Sequence, residues 1–236
     1  MAAVVRPRFF AHFALFFAAF VFIAFSRTYY LRFLSDQPPM TTLMHLHGLV
    51  STAWVLLFIA QTRLVAANRV DLHMKLGLAG VGLAVVMTAI GLMTMAAAGN
   101  LPGLRPTGLT HKQFTATPLV TTVSFAVLFS LAVALRRRSD LHKRLMVLAM
   151  IAIAGPAIGR LAFTLDAVRW LPYFNPAVVL AMVAACLAFD WKRHRIVHPV
   201  FVWGGAALVL SWPFRYWLAR SDVYVPLSEW IARAGS

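Results

Sequence analysis

The chain has little of what a soluble protein uses at its surface or in its covalent framework. Only 12% of its 236 residues are charged, 7 are Asp or Glu, and 1 is cysteine. The lone Cys186 excludes an internal disulfide and a cysteine metal cluster. So few charged residues could not cover a globule in water. The scarcity of carboxylates, with no Gly-x-Ser-x-Gly elbow and no phosphate-binding loop in the sequence, argues against a hydrolase or a nucleotide enzyme.

Most of the chain consists of long apolar runs. Hydrophobic residues make up 61% of the chain, and they recur in runs of about 20 residues, long enough to cross a bilayer. The pattern predicts an all-α fold, a polytopic transmembrane helical bundle formed by residues 1–236 as a single transmembrane domain. About seven spans are expected, at 8–27, 41–65, 72–98, 113–135, 141–165, 174–191 and 199–219.

The formal net charge of +15 is carried by short loops between the apolar runs. This placement favours positive-inside anchors against the lipid bilayer and argues against a nucleic-acid partner. With seven spans, the face that holds the N-terminus and Arg136–Arg138 is the richer in Lys and Arg. The positive-inside rule then predicts a cytoplasmic N-terminus and a periplasmic C-terminus.

Three local features add expectations about the spans. Pro156, between Gly155 and Gly159, predicts a bend in the fifth span. Trp230 and Ile231 are expected to rest on the outer membrane interface. An outer aromatic belt is expected from Trp170, Tyr173, Trp212, Tyr216 and Trp217.

One short segment occurs twice. Residues 71–76 read Asp-Leu-His-Met-Lys-Leu, and residues 140–145 read Asp-Leu-His-Lys-Arg-Leu. Each copy follows one apolar run and opens the next, and another histidine precedes each copy by about one span. On the predicted topology, His47 (with His45 beside it) and His111 lie at the outer level, and His73 and His142 at the inner level.

Two histidines at one level are what a b-type haem needs, because two imidazoles bind its iron from opposite sides. The pattern therefore predicts haem b, one or two per chain, held by spans 2 to 5 over residues 41–165. His73 would pair with His142, and His47 or His45 with His111. His47 is favoured, because Gly48 leaves room beside it for a flat ligand or a close helix. A copper or zinc ion at the same four histidines stays open.

The haem propionates would be bound by nearby cations. Lys75 and Arg144 adjoin the inner histidines. Arg160 follows His142 by about 27 Å along a straight helix, which would bring it toward the outer level. An arginine this far inside an apolar run should face a partner, not lipid.

These residues resemble two families. The layout resembles the ascorbate-reducible transmembrane b-type cytochromes, whose spans 2 to 5 carry four haem-ligating histidines in a 2–4 and 3–5 pairing. Residues 41–165 resemble more closely a family of bacterial integral membrane proteins of unassigned function with paired Leu-His-x-x-Leu motifs. The matching positions are His47, Gly48, Gln61, Leu72, His73, Leu76, Gly77, His142, Met146 and Arg160.

The resemblance implies a multi-pass protein of the bacterial inner membrane that transfers electrons between two haems, as a transmembrane oxidoreductase with a redox partner. The alternative is a non-redox role, as a metal-handling, assembly or accessory subunit of a larger membrane complex; a homo-oligomer is compatible with both. A purely structural explanation of the repeat is also open: Asp71 and Asp140 would be N-cap residues that stabilise the starts of two helices.

Overall fold

The computed structural model describes residues 9–34, 39–101, 108–165 and 167–235. Within these segments the chain is all-helical and contains no strand, which confirms the all-α part of the predicted fold class. The α-helices are α1 Phe9–Phe25, α2 Thr42–Ala66, α3 Val70–Gly99, α4 His111–Phe114, α5 Ala116–Ala134, α6 Ser139–Ala152, α7 Gly155–Thr164, α8 Leu171–His194, α9 Pro199–Arg220 and α10 Tyr224–Ala234. A π-helical turn, Ser26–Tyr30, extends α1.

Five helical segments of the described chain are long and apolar enough to cross a membrane. They are Phe9–Tyr30, Thr42–Ala66, Val70–Gly99, His111–Ala134 and Pro172–His194. They coincide with five of the seven expected spans. Large apolar side chains point outward from them, as lipid-facing residues do: Leu78 is 78% exposed and Ile23 66%.

The other two expected spans, 141–165 and 199–219, are helical but are not among these five segments. Residues 141–165 form the pair α6 and α7, which together are apolar enough for a sixth span but are bent by 42° at a short break. The break immediately precedes Gly155 and Pro156, so the predicted bend is confirmed. Residues 199–219 do form a helix, α9. Its glycines, tryptophans, Pro213 and Arg215 lower its hydropathy, and a seventh span is not confirmed.

The chain divides into two compact units, residues 1–90 and residues 91–236. In the first unit α1 packs against α2. Phe13 and Phe17 are buried on α1, and Trp54 and Phe58 on α2. The two tyrosines of the π-helical turn contact the first turns of α2, as described below.

In the second unit α6 is the central helix, since it packs against α5, α8 and α9. Eight of its 14 residues are buried. Adjacent glycines on α9 allow this close packing. A Cβ atom at Gly204 would meet the Leu148 side chain of α6, and one at Gly205 would overlap Val183 of α8. Small residues at such contacts are the usual way for membrane helices to approach each other.

Both copies of the repeated segment open a helix, as expected. The helices α3 and α6 begin at Val70 and Ser139, so each aspartate is the second helical residue and each histidine the fourth. The prediction that Asp71 and Asp140 are the N-cap residues is therefore wrong: each helix begins two residues earlier than such a cap requires. Both carboxylates remain in the first turn, where the helix dipole favours a negative charge.

Candidate functional site

The predicted ligand histidines are shared between the two units. His45, His47 and His73 lie in the first unit, and His111 and His142 in the second. Each predicted pair takes one histidine from each unit, so both pairings stay predictions. Within the described segments, no three His, Cys, Asp or Glu side chains group together as they would around a metal ion.

The space beside Gly48 is filled by Tyr29. A Cβ atom at Gly48 would overlap the Tyr29 ring, whose hydroxyl donates to the His45 carbonyl at 3.2 Å. The neighbouring Tyr30 hydroxyl lies 2.8 Å from the Thr52 hydroxyl, which donates to the Gly48 carbonyl. The sequence left two occupants open for this space, a close helix or a flat ligand. In the structure, the end of the first span lies there, through Tyr29.

His45 and His47 differ in their surroundings. The His45 side chain is exposed, and its ring centroid lies 6.2 Å from that of Tyr29. His47 is half-buried. The two positions diverge by about 200° around α2, so a single ligand could take one of them and not both.

His73 is held by Gln61 of α2. The backbone of α3 fixes the orientation of the Gln61 amide, because its oxygen accepts from the Gly77 N–H at 2.9 Å and its nitrogen donates to the His73 carbonyl at 3.1 Å. The same amide nitrogen donates to His73 Nδ1. A ring nitrogen that accepts a hydrogen bond carries a lone pair, so a neutral His73 has its proton on Nε2.

His142 has the opposite arrangement. Its Nδ1 lies 2.8 Å from the carbonyl oxygen of Ala132, in the last turn of α5. A carbonyl can only accept, so Nδ1 carries the proton and Nε2 the lone pair. The backbone N–H of Arg136 bonds to Val133 and not to Ala132. The histidine therefore satisfies a carbonyl at the helix end.

Arg144 is bound by Asp190 in the core of the second unit. Its Nε and Nη2 donate to the two carboxylate oxygens at 3.0 and 2.7 Å. Its Nη1 donates to the Asp140 carbonyl at 2.9 Å, and the guanidinium lies 5.6 Å from the Phe201 ring centroid. The Asp190 side chain is 0% exposed and that of Arg144 6%. All three guanidinium nitrogens are thus engaged.

His198 connects this ion pair to the start of α9. Its backbone N–H donates to Asp190 Oδ2 at 3.2 Å, and its Nδ1 accepts from the Val200 N–H at 3.2 Å, which makes it the N-cap of α9. Its Nε2 lies 3.5 Å from an Asp140 carboxylate oxygen. The second copy of the repeat therefore ties α6, α8 and α9 together at one end. In the first copy, Asp71 makes an exposed 3.6 Å ion pair with Arg69.

The remaining predicted residues lie at helix ends or in α7. Lys75 is exposed on α3, and His111 is the half-buried first residue of α4, behind a capping box formed by Thr110 and Gln113. Arg160 is half-buried, and its Nη1 donates to the Pro156 carbonyl at 3.2 Å. The distance of about 27 Å from His142 assumed a straight helix. The 42° bend makes that assumption wrong.

Arg215 is a buried cation that the sequence did not single out. It is 1% exposed, its Nη1 and Nη2 donate to the hydroxyls of Thr121 and Ser211 at 3.0 and 3.2 Å, and it lies 4.3 Å from the Trp212 ring centroid. No carboxylate of the described residues pairs with it. Trp212 is only 4% exposed, so its assignment to the aromatic belt is wrong, whereas Trp170, Tyr173 and Trp217 are exposed as expected.

A signal for this site was present in the sequence. An arginine inside an apolar run is costly unless it faces a partner, and Arg215 lies inside the run 199–219. Asp190 is likewise one of only 7 acidic residues in the chain. Neither position, however, indicates which residue it pairs with.

No protein-family model, no curated protein and no solved structure matches this chain.

Proposed function

We propose that this chain is a membrane b-type cytochrome or haem-binding protein that moves electrons across or within the membrane. The observation that supports it most directly is the orientation of His142. Histidines that bind a metal through one ring nitrogen usually donate the other N–H to a carbonyl or carboxylate. The 2.8 Å contact between His142 Nδ1 and the Ala132 carbonyl puts the lone pair on Nε2, which is the nitrogen that would hold a haem.

Two of the other residues proposed to hold a haem, His73 and Arg144, already have hydrogen-bond partners that would have to change. His73, as Gln61 orients it, presents an Nε2–H, so ligation through Nε2 would require the Gln61 amide to turn over. Arg144 would have to exchange Asp190 for a propionate. Lys75, being exposed, has no such competitor among the contacts described. The inner site is therefore proposed with His142 as its better-prepared ligand.

When bound, a haem would supply one-electron transfer. The role of the protein would be to fix the orientation of the two histidine rings. The α5 end holds His142 by one hydrogen bond, and α2 holds His73 by the Gln61 amide. The outer site, His47 or His45 with His111, rests on the repeat and the resemblance alone.

The decisive experiment is a reduced-minus-oxidised optical spectrum of protein produced with haem available, together with the haem content per chain. We expect a b-type α-band with one or two haems per chain. We expect His142→Ala and His73→Ala each to lose one haem, because each removes an imidazole that would hold it.

The matched control is His194→Ala, an exposed histidine at the end of α8 that belongs to neither predicted level. It should retain the full haem content. Wild-type protein without haem, or unchanged haem content in both His142→Ala and His73→Ala, would overturn the proposed pairing.

The second candidate is a non-redox accessory or assembly subunit of a larger membrane complex, with a metal-handling role at the same histidines. The Gln61 contact favours it, because an amide that donates to His73 Nδ1 and to the α3 backbone is sufficient explanation for a structural histidine. In that case the protein is colourless, and His73→Ala lowers its stability without any spectral change.

The proposed orientation follows from the basic loop Arg136–Arg138. We infer a bacterial inner-membrane protein with its N-terminus in the cytoplasm, supported by the positive-inside rule and by the apolar helices. A redox partner and a homo-oligomeric state are part of the same proposal.

A further inference from the structure

The last helix, α10, has one side bound to the rest of the second unit. Tyr224, Ser228 and Ile231 are buried, and their spacing of four and three residues puts them on one face. The Tyr224 hydroxyl lies 2.7 Å from that of Thr115, and burial raises the pKa of Tyr224, so the phenol stays neutral in this contact. Asn100 Nδ2 also donates to the Ala232 carbonyl at 2.7 Å. The sequence-based placement of Ile231 at the interface is therefore wrong.

A second side of α10 is apolar and exposed. Val223, just before the helix, is 81% exposed, Leu227 42% and Trp230 61%. They repeat the spacing of four and three residues, so they form a stripe about one quarter-turn from the buried face. The exposed Leu210, Phe214 and Trp217 show the same spacing on α9, immediately before α10. The exposed apolar surface of α9 thus has a counterpart on the helix that follows it.

A third side of α10 is polar and borders an open groove. Glu229 and Arg233 line this groove together with Asn100 and Lys112. A second groove shares Asn100 and Lys112 and adds Thr110 and His111. Two cations, an amide and one carboxylate thus line a groove beside a helix that also exposes an apolar stripe.

We propose that α10 lies flat in the membrane interface, with Val223, Leu227 and Trp230 in lipid, and that the groove of Lys112 and Arg233 binds the phosphate of an anionic phospholipid. A helix with tryptophan on one side and basic charge on another is the usual interfacial arrangement; on α10 that charge is Arg233, and Lys112 of α4 adds a second cation to the same groove. The buried face fixes the rotation of α10 about its axis, so only one side can face lipid. The cations then lie at the level of the headgroups, where anionic lipid attracts them.

Site-directed spin labelling tests this placement. Leu227→Cys and Glu229→Cys are labelled in vesicles of three parts phosphatidylcholine to one part phosphatidylglycerol. The buried Cys186 is left in place, and the chain without an added cysteine serves as its control. We expect the ratio of oxygen accessibility to that of a water-soluble nickel chelate to be severalfold higher at position 227 than at position 229.

The headgroup is tested with the pair Lys112→Ala and Arg233→Ala, compared with Arg136→Ala and Arg137→Ala at a different basic loop. Native mass spectrometry of protein extracted from these vesicles should show severalfold less retained phosphatidylglycerol for the first pair only. Equal loss in both pairs, or none in either, would overturn the headgroup site. Equal accessibility ratios at positions 227 and 229, or shielding of position 227 from both reagents by a second copy, would overturn the interfacial placement.

Discussion

Replacing Asp190 with alanine is expected to lower the free energy of unfolding by about 3–5 kcal/mol, the usual cost of removing one partner of a buried ion pair. The guanidinium of Arg144, 6% exposed, would remain in the core without the carboxylate that takes two of its hydrogen bonds. The His198 N–H would lose the same acceptor. Unfolding in mixed micelles, followed by circular dichroism across a titration with dodecyl sulfate, measures the change.

The first copy of the repeat supplies the matched control. Asp71→Ala removes an exposed 3.6 Å ion pair with Arg69 and should change stability by less than about 1 kcal/mol. The double variant Arg144→Met with Asp190→Leu should recover much of the loss, because it leaves no unpaired charge in the core. If Asp190→Ala were as stable as Asp71→Ala, the ion pair would not hold α6 to α8 as described.

The second large effect is expected at Gly205. Gly205→Ala should destabilise the protein by about 1–3 kcal/mol, since overpacking forces neighbouring side chains and backbone to shift. The new Cβ would overlap one methyl group of Val183 and lie 3.4 Å from the other. Valine is branched at Cβ and stiff about χ1, so α8 and α9 would have to separate. The measurement is the same micelle titration.

Gly82→Ala is the control for helix propensity. Apart from the backbone of its own helix and its chain neighbours, no heavy atom of the described residues lies within 4 Å of the Cβ position at Gly82, so alanine there should be neutral or stabilise by up to about 1 kcal/mol. The two substitutions should therefore have opposite signs. A stabilising Gly205→Ala would show that the close approach of α8 and α9 is not tight in the membrane.

The sequence predicted the elements that depend on local chemistry. Apolar runs placed five spans, and the repeated Asp-Leu-His segments marked the starts of two helices. The bend next to Gly155 and Pro156 follows from a missing N–H and a missing side chain, which are visible in the sequence. The run 199–219 has the length of a span, but Pro213 and Arg215 lower its hydropathy, and the seventh span predicted there is not confirmed.

Partners distant in the chain could not be predicted in the same way. Arg144 and Asp190 are 46 residues apart, and Arg215 and Thr121 are 94 apart. Helical periodicity tells which side of a helix is apolar but not which helix packs against it. The tautomers of His73 and His142 depend on a single amide and a single carbonyl from neighbouring helices. The repeat therefore predicted two similar histidines where the structure shows two different ones.

That difference has a consequence for how neighbouring helices are joined. At the start of α6 the histidine ring itself bonds the Ala132 carbonyl of α5, so His142→Ala removes that connection. At the start of α3 the connection to α2 is made by Gln61, which also bonds the Gly77 N–H and the His73 carbonyl. His73→Ala leaves those two backbone contacts in place. The link between α5 and α6 therefore depends on the histidine, and the link between α2 and α3 depends on the glutamine.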